Sequence, residues 1–154
     1  MLPLVHYAHL LLGIAWMGGT LLFATAVYPA LARLPAEEAG RALAGISVVA
    51  GPLLAAAGGL TSILGPLRAW MGGGIAGWSD FAWPYAWLVI AAFCIMWLAV
   101  GLGGSFRRRF DALLAEPAAF AAEAPRLAAR HALFETLLLL VILALMVALG
   151  LGLY

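Results

Sequence analysis

Four long apolar stretches fill nearly the whole chain. A helix needs about 20 apolar residues to cross the hydrocarbon of a bilayer, so 154 residues suit four spans and little else, with no room for a separate soluble domain. Composition agrees: 66% of residues are hydrophobic and 10% charged, with a mean hydropathy of +1.09, against about half and a quarter in soluble domains. The expected object is an all-α integral membrane four-helix bundle, up-down-up-down. Its spans cover about residues 3–31, 41–67, 81–104 and 130–154.

Pro3, Pro35 and Pro84 fall where helix starts tolerate proline, whereas Pro52 lies inside the second span and is expected to kink it. The first apolar run has no basic segment before it and is long for a signal sequence, so it reads as a retained helix. Arg33 and Arg41 flank the first linker, and Arg107, Arg108, Arg109, Arg126 and Arg130 crowd the third; the side between them holds only Arg68. By the positive-inside rule the two basic linkers are cytoplasmic and both termini external. Ser105 to Glu116 carries apolar and charged residues at helical spacing and is expected to lie on the inner membrane surface. Gly72, Gly73, Gly74 and Gly77 mark a flexible external loop, with Trp70, Trp78 and Trp83 at interface depth.

A net charge of +1 suggests no nucleic-acid partner. Every basic residue is arginine, which excludes chemistry that needs a lysine amine. The lone cysteine, Cys94, forms no internal disulfide and reads as a small core residue. Nucleophile–base–acid sets, glycine-rich phosphate loops and zinc spacings are absent.

Imidazole is costly in hydrocarbon, so the two histidines of His6-Tyr7-Ala8-His9 need a reason to be there. At about 100° per residue His6, His9, Gly13, Met17 and Thr20 share one side of the first helix, a polar and small stripe that faces the bundle. Gly13, one turn deeper than His9, leaves space that accommodates a porphyrin or a bound ion, with Trp16 packed beside it. The other reading is a tight helix contact with a hydrogen-bonded histidine. In the fourth span His131 and Glu135 are neighbours on one face, where the carboxylate either tunes the imidazole or forms a boundary ion pair.

A haem held by His9 and His131 together is excluded, because the two differ in depth by roughly 20 Å at about 1.5 Å per residue. An outer haem would use His9 or His6 with a partner at the same depth, for which Met146 offers sulfur; Met146 otherwise reads as a core residue. Copper(I), which favours sulfur and imidazole, is the other guest, at Met1, His6 and His9.

The run VHYAHLLLGIAWMGGTLLFATAVYPALARLP resembles the first helix of the CopD-like (copper-resistance protein D) superfamily: a histidine, six residues, then Trp-x-Gly-Gly, with a later proline before a polar turn. Here these are His9, Trp16, Gly18, Gly19 and Pro29. Gly58-Gly59-Leu60-Thr61 resembles that family's second helix, so the likeness covers about the first half of the chain. The related HemJ-type protoporphyrinogen oxidases begin similarly, as four-helix haem b proteins whose first-helix histidine maps onto His9. Their third helix carries a lysine and a histidine, both absent from WPYAWLVIAAFCIMWLAVG, and Phe134-Glu135-Thr136 matches only the acid of their last helix. The resemblance thus implies haem b or copper at His9 in a bacterial inner membrane, while the missing third-helix lysine and histidine count against porphyrinogen oxidation. The expected function is a b-type haem protein in electron transfer, with a redox partner and a homodimer formed through small-residue faces. The alternatives are a copper-handling protein and a non-catalytic membrane subunit whose histidines only pack helices.

Overall fold

The computed structural model describes residues 1–154. Four helices, α1 (Leu2–Leu31), α2 (Ala36–Met71), α3 (Pro84–Leu114) and α4 (Pro117–Leu151), are each long and apolar enough to cross a membrane. The start of α1 meets the end of α2 where Arg68 reaches His6. The end of α3 meets the start of α4 at Phe110 and Phe120, ring centroids 5.4 Å apart, and their far ends meet at Tyr85 and Tyr154. Consecutive helices are therefore antiparallel, and the bundle runs up-down-up-down. Large apolar side chains are exposed along every helix, Ile14, Val48, Trp97 and Leu140 among them, as lipid-facing surfaces require.

Helix α1 is not regular throughout. Phe23–Val27 forms a π-helical turn, and the Tyr28 N–H donates to Phe23 O. Pro29 explains it: proline lacks an N–H, and its ring collides with the carbonyl four residues back, which a π-turn relieves. The bulge also sets the face. Without it Tyr28 would stand about 120° from Trp16; absorbing one residue brings the two to within about 20°, and both are buried.

The helices exceed their expected bounds at the linker end. Helix α2 begins at Ala36 rather than Arg41, and α3 continues to Leu114 instead of ending at 104. Only Ala115 and Glu116 then separate it from Pro117, in the first turn of α4. Ser105 to Glu116 is thus not a separate surface helix. At 1.5 Å per residue α3 and α4 are about 46 and 52 Å long, well beyond a hydrocarbon layer of about 30 Å. The excess encloses a core of its own, in which Tyr28, Leu31 and Leu43 pack with Phe106, Phe110 and Phe120. Phe106, Phe110, Leu113 and Leu114 face this core, which is why the segment stays in the bundle.

At the opposite end the glycine-rich loop folds around Asp80, whose Oδ2 accepts from the N–H groups of Ala76 and Gly77 at 2.7 and 2.8 Å. Trp78–Ala82 forms a 3-10 turn there, and Trp70, Trp78 and Trp83 are exposed. Cys94 is exposed on α3, not a core residue; the lipid-facing side of a span accepts a thiol as readily as the core does.

Candidate functional site

The small residues Ala57, Thr61, Gly65 and Ala69 recur every fourth position along α2, which places them on one face of that helix. The His9 ring lies over this stripe. A Cβ at Gly65 would come within 3.1 Å of His9 Cε1, so the glycine is what admits the imidazole. His9 Nδ1 is 3.2 Å from Thr61 O. A carbonyl only accepts, so neutral His9 carries its proton on Nδ1 and keeps the Nε2 lone pair free. A hydrogen bond from the second nitrogen to a backbone carbonyl is the support that metal-bound histidines ordinarily have.

His6, one turn nearer the terminus, is placed differently. Arg68 Nε donates to its Nδ1 at 2.7 Å, which puts the proton of a neutral His6 on Nε2 and leaves no free lone pair. Of the two expected ligands, His9 alone keeps a nitrogen available.

Both histidines line a cavity of about 230 Å³. Gly13, Trp16 and Met146 line it too, so the five residues expected to form a cofactor site share one hollow. Gly13 is not the decisive gap, since a Cβ there would make an ordinary 3.8 Å contact with Thr61 Cγ2; Gly65 is. Met17 and Met96 add two thioethers to the walls, and Arg68 stands at the end nearest the chain termini. On the lipid side the wall is formed by exposed residues, among them Leu10, Ile14 and Phe93.

A second cavity, of about 430 Å³, lies further toward the linkers and contains His131 and Glu135. Trp16 and Met96 line both hollows. His9 and His131 are accordingly separated, in keeping with the exclusion of a shared iron. The indole of Trp16 is buried against Gly58, where a Cβ would stand 2.7 Å from Cδ1. His131 stacks on Phe106 with centroids 3.9 Å apart and planes 9° from parallel, and Tyr28 meets its edge. His131 Nδ1 and Glu135 Oε2 are 4.0 Å apart.

No protein-family model, curated protein or solved structure matches the chain.

Sequence reasoning does not assign Thr61, Gly65 or Arg68 to the site: Arg68 enters it only as a marker of topology and Thr61 only as part of the second-helix resemblance. Their signals were present: a four-residue repeat of small side chains along the second span, and a solitary arginine opposite all the others. What the sequence withheld was the pairing of α1 with α2, which turns that repeat into a seat for His9.

Proposed function

We propose that the cavity beside His9 holds a b-type haem, and that the protein transfers electrons within the membrane. The observation that carries the reading is His9 itself, with Nδ1 tied to Thr61 O and Nε2 free in an apolar cavity. His9 Nε2 would be the axial ligand, and Met146, which lines the same cavity from α4, would offer a thioether. Arg68 at the terminal end suits a propionate. At about 230 Å³ the space is below the roughly 300–1,000 Å³ of a typical cofactor pocket, so haem would enter only with exposed lipid-side walls such as Leu10, Ile14 and Phe93 displaced. The group supplies one-electron chemistry when bound; the chain supplies a fixed imidazole, apolar walls and a cation at one end. On this reading the positive-inside rule puts the basic linkers in the cytoplasm, so the cavity would lie in the outer half of the membrane with both termini external.

A second reading, copper(I), draws support from Met17, Met96 and Met146, three thioethers in one cavity with an imidazole. It is the weaker one. Met1 is exposed, and His6 has its lone pair engaged by Arg68.

An absorbance spectrum of the detergent-purified protein separates the readings. Haem gives a Soret band that His9→Ala abolishes and His6→Ala leaves in place. A colourless protein with stoichiometric copper would establish the second reading. A colourless, metal-free protein that retains a partner subunit through purification would overturn both.

A further inference from the structure

The cavity nearer the linkers holds a polar group that nothing in the chain satisfies. Glu135 is 1% exposed, lines this cavity, and its Oε2 has no hydrogen-bond partner. His131 Nδ1, at 4.0 Å, is beyond hydrogen-bond range. Buried polar atoms are almost always paired, so Oε2 calls for a donor from outside the chain.

The walls describe the donor's shape. Gly51 and Gly59 on α2 and Gly103 on α3 all line the cavity, and a Cβ at any of them would meet no atom within 4 Å. Flat backbone thus borders open space on two sides, with the aromatic rings of Trp16, Phe23 and Trp97 around the remainder. Arg107 supplies the second polar group: Nε bonds to Asp111 and Nη1 donates to Ser47 Oγ at 2.9 Å, which leaves guanidinium donors for an oxygen acceptor. Gly51, Trp97 and Val100 are exposed on the lipid side, so entry is lateral, from the bilayer. Arg107 is already balanced by Asp111, so it calls for an oxygen acceptor rather than an anion, which would also meet Glu135; an organic cation is the rival occupant that the experiment below separates. A neutral ring bearing both hydroxyl donors and oxygen acceptors suits both.

We propose that this cavity binds the head of a lipid-soluble hydroquinone, one ring hydroxyl donating to Glu135 Oε2. The site is distinct from the cavity beside His9 and stands whether or not haem binds there.

The test is equilibrium binding of decylubiquinol, kept reduced, to the protein in nanodiscs, corrected with empty nanodiscs. Saturable binding of one molecule per chain is expected. Glu135→Leu, which replaces an unpaired carboxyl by an apolar group in an apolar site, should weaken it at least tenfold. Gly103→Leu, whose Cβ would meet no atom within 4 Å, should do the same, and Trp78→Ala, in the exposed turn between α2 and α3, should leave it unchanged. The dimethyl ether of decylubiquinol, unable to donate, should bind at least tenfold more weakly. Non-saturable uptake, equal binding of the ether, or binding unmoved by both Glu135→Leu and Gly103→Leu would overturn the proposal. So would tetraphenylphosphonium binding more tightly than the quinol in a Glu135-dependent way.

Discussion

Gly58 and Gly59 are adjacent in sequence, yet they answer to different demands. A Cβ at Gly58 would press on the indole of Trp16, while at Gly59 it would meet open space. Gly58→Ala should therefore cost about 1–3 kcal/mol, the usual range for overpacking. Gly59→Ala should be neutral, or stabilise by up to about 1 kcal/mol through helix propensity. Denaturant unfolding of the two variants side by side measures the difference. The same reasoning applies one turn further along: Gly65→Ala should push His9 from the Thr61 carbonyl and shift or weaken any haem spectrum, with the helices intact. From sequence these glycines formed an undifferentiated small-residue pattern, because a glycine's role is written in the neighbour it faces. His9 was legible because a polar ring in an apolar run is conspicuous by itself; that His6 has its lone pair taken by Arg68, 62 residues away, was not.

The loop between α2 and α3 and the π-turn of α1 show how single residues shape whole elements. Hydrogen bonds from Ala76 and Gly77 hold the Asp80 carboxyl below its ordinary range. A depressed folded value means that the turn gains from ionised Asp80 above the ordinary carboxylate range, and that the gain is lost as pH falls through the depressed value. The amide shifts of Ala76 and Gly77 should titrate together with a midpoint below that of a free aspartate, and Asp80→Asn should abolish the titration. A midpoint at the ordinary value would show that these bonds do not persist in solution. Span number and the proline-marked helix starts were legible because hydropathy and the missing proline N–H act locally. The continuation of α3 to Leu114 was not, since a mixed apolar and charged segment fits a membrane surface as well as a helical core until its partner, the start of α4, is in place.

The whole molecule divides into two hollow levels and one solid end. The solid end, around Phe106, Phe110 and Phe120, packs side chains that are almost wholly buried. Phe110→Ala should cost about 3–5 kcal/mol, as expected for a large aromatic lost from a core; it should lower the unfolding temperature while leaving any Soret band of the purified protein unchanged at permissive temperature. An unchanged unfolding temperature would mean that this end contributes little to holding the helices together. The hollow levels share the indole of Trp16 and the thioether of Met96. A substitution at position 16 or 96 would therefore reach both hollows at once, so neither can be reshaped through that common wall without disturbing the other.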